Sequence, residues 1–203
     1  MELILARHGN TFNTGDKIVW VGRTEDFPLT QTGEEQARKV AEFVRTKRIS
    51  KIYCAPLKRT RRFAEIIAKD LNLSAPILDE RLLEVDYGAW AGKSDDEIIA
   101  LGLESELEAW KNNAVWPKSW GTTKEEIAKA INSFYQDVVN ANSDNAILAI
   151  SSNGCLRFFL QELDEIPEEI KKTNGKVKTG GVCSFGVSSG KCSLNYWNKT
   201  PEI

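Results

Sequence analysis

Histidine is almost absent from this chain: His8 is the only one in 203 residues. That excludes zinc sites built on several histidines, Ser-His relays elsewhere in the chain and a pH switch with more than one imidazole. Cysteine is sparse too. Cys54, Cys155, Cys183 and Cys192 show no C-x-x-C spacing, which reads as a cytosolic chain with reduced thiols. No run approaches the ~18 apolar residues of a membrane span. The first seven residues are too briefly apolar, and start too acidic, for a secretory signal. A soluble, cytoplasmic protein is expected, with no membrane partner. An excess of positive charge is also missing: 27 Lys+Arg stand against 29 Asp+Glu, so nucleic acid is not an expected partner. There is no repeat, low-complexity tract or linker, and one domain over residues 1–203 follows.

The residues that are present suit a globular core. Hydrophobic residues make up 41%, and a chain of this length hides roughly 70% of its unfolded surface. Spacing predicts a short buried strand at 3–6 and a helix from a Thr32-x-x-Glu35 capping box to about residue 48. A strand at 51–54, a helix over about 57–71 and a short strand at 76–78 come next. Residues 94–111 read as helix in patches, broken near Gly102, and 116–121 as an irregular loop. Thr123 caps a further helix, 146–150 is a fully apolar strand, and a helix runs from about 154 to 163. A C-terminal hairpin pairs 182–187 with 192–197 around Ser188-Ser189-Gly190. Strands alternating with helices imply a parallel α/β sheet.

In such sheets ligands bind outside the carboxyl ends of the strands. Arg7, His8 and Gly9 follow the first strand, Arg59 the second, Arg81 and Glu84 the third, and Ser152, Asn153 and Gly154 the apolar run. Two or three cations, an imidazole and a carboxylate thus share one rim. That set suits a phosphoryl group, because guanidiniums grip its oxygens and an imidazole can attack phosphorus. Taken singly, each residue has a plainer role: Glu84 competes with Asp79, Glu80 and Asp86 as a turn residue, and Asn153 suits a helix N-cap. Trp20, Trp116 and Trp120 each suit core packing, and together an aromatic wall over a ligand.

Four segments in order, Arg7-His8-Gly9, Ala55-Pro56-Leu57-Lys58-Arg59, Arg81-Leu82-Leu83-Glu84 and Ser152-Asn153-Gly154, resemble the motifs of the histidine phosphatase superfamily, the phosphoglycerate mutase-like clan, over nearly the whole chain. The resemblance implies a three-layer α/β/α sandwich around a mostly parallel sheet, with a helical lid at about 94–121. It implies that His8 is the nucleophile, that Arg7 and Arg59 hold the phosphoryl oxygens, and that Glu84 serves as acid and then base. Asn10, Asn13, Thr14, Arg23 and Gly154 are the expected substrate contacts, and no metal or cofactor is called for. Asn153 falls where the family carries a second histidine. An amide donates without charge, and the loss of a charge-assisted bond, about 1–3 kcal/mol, slows chemistry roughly 10- to 10²-fold. The expected protein is therefore a metal-independent phosphomonoesterase of reduced activity, acting on a small phosphorylated substrate and releasing inorganic phosphate. A phospho-ligand-binding module and a phosphoglycerate mutase are the alternatives. The C-terminal hairpin offers an edge strand through which a dimer could form.

Overall fold

The computed structural model describes residues 1–141, 145–188 and 191–202. Ser189 and Gly190, at the turn of the expected hairpin, lie outside the described residues. Strands β1 (Glu2–Arg7), β2 (Ile49–Cys54), β3 (Ile77–Leu78), β4 (Ala146–Ser151), β5 (Val182–Ser188) and β6 (Lys191–Lys199) form one sheet in the order β3-β2-β4-β1-β5-β6. The first four in that order run parallel, and β5 and β6 add an antiparallel edge.

Alternation along β1 makes two cores from one strand. Leu3 and Leu5 pack with Phe134 and Phe159 on one face, while Ile4 and Ala6 pack with Val40 and Phe63 on the other. Strand β4, flanked on both sides, is buried at all six residues, which is why it reads as an uninterrupted apolar run. Helices α1 (Gln31–Val44) and α2 (Lys58–Asp70) cover one face, and α5 (Lys124–Asn140) the other. This is the expected three-layer sandwich.

Some element ends differ from expectation, each for a local reason. Helix α1 is capped two residues earlier than expected: the Thr30 hydroxyl, not that of Thr32, accepts from the Gly33 N–H at 3.1 Å. The helix expected over 154–163 is α6 (Asn153–Leu156) continued by 3₁₀ turns over Arg157–Glu162. By contrast, Thr123 and Glu126 form the reciprocal cap foreseen for α5. Helices α3 (Asp95–Ala100) and α4 (Glu104–Asn113) break at Gly102 (φ +78°), and α7 (Glu168–Lys172) precedes β5.

One contact anchors the loop after β1. A Cβ on Gly9 would lie 2.4 Å from the Gly33 carbonyl oxygen, and a Cβ on Gly33 2.3 Å from that of Asn10. Only glycine allows this approach. The Asn10 oxygen also accepts from the Thr30 N–H at 2.9 Å and hydroxyl at 3.2 Å, so the loop behind His8 is tied to the start of α1.

Candidate active site

His8 sits just past β1 and is almost wholly buried. Its Nδ1 lies 2.7 Å from the Gly9 carbonyl oxygen, and its Nε2 lies 3.2 Å from Arg59 Nε. A carbonyl oxygen only accepts and a guanidinium only donates, so Nδ1 carries the proton and Nε2 presents its lone pair. Burial first, and then the Arg59 and Arg7 cations, hold the imidazole well below its ordinary value near 6.5. The ring is neutral at physiological pH, with the Nε2 electron pair accepting from the Arg59 cation.

Arg59 reaches this point from the first turn of α2. Its other nitrogens donate to the Gly22 oxygen at 2.7 Å and the Glu25 oxygen at 3.1 Å, which fixes the fork without a carboxylate partner. Arg7 donates from Nη1 to the Val177 oxygen at 2.8 Å, and its buried Nε has no partner among the described residues. Two guanidiniums therefore face the site with charge unneutralised by a salt bridge. Burial lowers the proton affinity of both.

Glu84 lies opposite, 6% exposed. Its Oε1 accepts from the backbone N–H groups of Val85 at 2.9 Å and Cys155 at 3.1 Å, and its Oε2 from Gly154 at 3.1 Å. Arg7, His8, Asn10, Arg59, Glu84 and Asn153 all line one cavity of about 820 Å³. Among the described residues, no group of three or more His, Cys, Asp and Glu side chains is arranged to hold a metal ion. The concentrated charge here is positive, and it fits a tetrahedral anion in front of a neutral nucleophile, with a carboxyl able to give and take a proton.

Other expected contacts are placed differently. Asn10 lines the cavity, its side-chain oxygen accepting from Thr179 Oγ1 at 2.5 Å, which leaves its NH₂ group to donate. Asn13 and Thr14 are exposed and do not line it, because Asn13 spends both its backbone and side-chain N–H groups on Asp16 in a local turn. Arg23 stands behind the site and positions it, donating from Nε to the Glu84 backbone oxygen at 2.9 Å. The Gly154 N–H holds the Glu84 carboxylate rather than a ligand.

Residues 3–200 match the histidine phosphatase superfamily, branch 1. The chain belongs to that family. It is 31% identical over 170 residues, 83% of its length and 80% of the relative's, to the uncharacterized phosphatase PhoE of Bacillus subtilis. It is 39% identical over 116 residues to a Photorhabdus laumondii protein designated "Probable phosphoglycerate mutase GpmB", a match that covers 57% of this chain and spans about half of that relative (50%). Its fold superposes on mycobacterial glucosyl-3-phosphoglycerate phosphatase, a structure with inorganic phosphate, with a TM-score of 0.83 at 20% identity, covering 100% of this chain and 99% of the other.

Asn153 does not act as an N-cap in this chain. It is the first residue of α6, and its side-chain oxygen accepts from the Val177 N–H at 2.8 Å. The β1–β4 register ends at Arg7 opposite Ser151, and of the next two residues Asn153, not Ser152, lines the cavity with His8. The Ser152 hydroxyl is buried with no partner among the described residues. Arg157 was not foreseen. It stands one helical turn beyond Asn153, its guanidinium 5.6 Å from the centre of the Trp110 ring, with a buried, unpartnered Nε. An arginine inside an apolar helical segment is a signal the sequence carries, though nothing local separates it from a surface cation. The aromatic wall is present: Trp120 has its ring 4.7 Å from Trp116, 4.8 Å from Trp110 and 4.7 Å from Tyr87.

Proposed function

We propose that this chain is a metal-independent phosphomonoesterase that works through a phosphohistidine on His8. The observation that carries the reading is the His8 tautomer, with its Nε2 lone pair turned to the buried Arg59 cation and the ring lining the cavity that Glu84 also lines. Nε2 attacks phosphorus, the N–P bond forms, and the P–O bond to the leaving group breaks. The leaving oxygen takes a proton from the Glu84 carboxyl. Water then attacks the phosphohistidine, gives its proton back to Glu84, and phosphate departs as His8 is restored. Arg7 and Arg59 stabilise the phosphoryl oxygens throughout, the role a metal would otherwise fill. The GpmB likeness supports family chemistry of this kind, and the PhoE likeness supports hydrolysis as its outcome.

The experiment is a panel of small phosphate esters with phosphate release followed, in buffer with and without EDTA. Release unaffected by EDTA and reduced at least 10³-fold in His8→Ala is expected. Equal turnover in the variant and the parent would overturn the proposal. A second reading, a module that holds a phosphorylated ligand without turnover, is favoured by the lack of a second imidazole. Binding measured by calorimetry, with no phosphohistidine trapped after rapid quenching, would select it.

A further inference from the structure

A second cavity of about 770 Å³ opens beside the first, and the two share Trp20, Tyr87, Lys111, Asn153 and Lys176 on their walls. Its character is different. The first carries Glu84, Asp95 and Asp96, whereas five cations, Lys111, Lys124, Arg157, Lys172 and Lys176, line the second and no carboxylate does. The inner wall is aromatic, formed by Tyr87, Trp110, Trp116, Trp120 and Phe158.

Of the five cations, Lys111 is paired with Asp95. The other three lysines are exposed. Arg157 is the built one. Its guanidinium rests against the Trp110 ring, its Nε is buried without a partner, and no salt bridge to it occurs among the described residues. Burial lowers its proton affinity, and no carboxylate lines the cavity beside it. Arg157 is half-buried, and a buried, unpaired guanidinium N–H is normally met by a carboxylate or phosphate. An aromatic chamber of this volume normally takes an organic body of drug size.

Resting on the phosphatase reading above, we infer that the second cavity holds the leaving group, and that the substrate is a phosphate monoester of a ring-bearing body carrying a second anionic group, which Arg157 binds. Asn153 lies at the junction and lines both cavities, so one ester spans from His8 to Arg157 past that side chain. The sharing of charge is then simple: Arg7 and Arg59 take the reacting phosphoryl group, and Arg157 takes the anion at the far end.

The test is a two-by-two set: 4-carboxyphenyl phosphate, phenyl phosphate, 3-phosphoglycerate and glycerol 2-phosphate. The first is expected to have the highest kcat/KM, at least tenfold above phenyl phosphate. Arg157→Gln should raise KM for 4-carboxyphenyl phosphate about 10- to 10²-fold, with kcat little changed, and leave phenyl phosphate within about twofold. Arg157→Lys should restore part of the loss. No preference for the carboxylated aryl ester, or an equal loss on both aryl esters in Arg157→Gln, would overturn the inference while leaving the phosphatase reading intact. If no ester is hydrolysed, that reading fails, and calorimetry with 4-carboxyphenylphosphonate and phenylphosphonate decides the cavity separately. The same Arg157-dependent difference in Kd supports it, and equal Kd values refute it.

Discussion

Gly154→Ala is a small change in a helical position, where alanine ordinarily stabilises by about 1 kcal/mol. Here it should do the reverse. A Cβ at this position would lie 2.3 Å from Glu84 Oε1 and 2.9 Å from Val85 Cγ2. Ordinary contact begins about 1 Å further out, so the carboxylate must retreat by roughly that distance. It cannot do so and keep its three backbone donors, Val85, Gly154 and Cys155. Bonds to a charged group contribute about 1.5–3 kcal/mol each, and the loss or lengthening of one, with overpacking, predicts a fall in stability of about 1–3 kcal/mol. A misplacement of about 1 Å at a reacting group lowers turnover roughly 10²-fold. Thermal denaturation and steady-state kinetics of Gly154→Ala measure both effects. Because the clash acts through Glu84, its effect on kcat should nearly vanish in a Glu84→Gln background. Parental kcat in Gly154→Ala, or full additivity of the two substitutions, would refute the reasoning.

Two other expectations follow from the same geometry. Since the folded protein keeps His8 neutral below its ordinary value near 6.5, the unfolded chain binds an extra proton there. His8 thus contributes stability that is fully present above about pH 6.5 and is lost as pH falls through the window beneath it, by up to about 1.4 kcal/mol per pH unit. His8 being the only histidine, denaturation of the parent and of His8→Gln at pH 7.5 and 5.5 isolates the effect, and identical pH dependence would contradict it. Returning an imidazole to the rim should help where the side chain lines the cavity with His8: Asn153→His is expected to raise kcat roughly 10- to 10²-fold and Ser152→His, buried and off the cavity wall, much less, a ranking that phosphate release from one ester will check.

Strand ends were the most legible part of the site. Arg7, His8, Arg59 and Glu84 are polar residues at places where periodicity changes, and the parallel sheet gathers those places on one rim. Element ends were less legible. Thr30 and Thr32 both suit a cap, and only the approach of Gly33 to the Asn10 backbone selects Thr30. Asn13 and Thr14 carry suitable chemistry for a phosphate loop, yet a turn closed on Asp16 turns Asn13's donors away.

The sequence by itself determined the alternation of buried strands and amphipathic helices, the excess of cations at the strand ends, and the supply of one imidazole. Those properties depend on local pattern and residue type, and they survive any small shift in alignment. Tertiary structure decided what depends on distances between segments far apart in the chain. It chose the His8 tautomer, through the Gly9 oxygen and Arg59 fifty-one positions later. It placed Arg23 behind Glu84 and Asn153 on the cavity wall with His8. It also set Arg157 against Trp110, in a basic, aromatic cavity assembled from four separate stretches of chain. A cation's role depends on whether a carboxylate, an aromatic face or open water stands beside it, and that is decided only when the chain has folded.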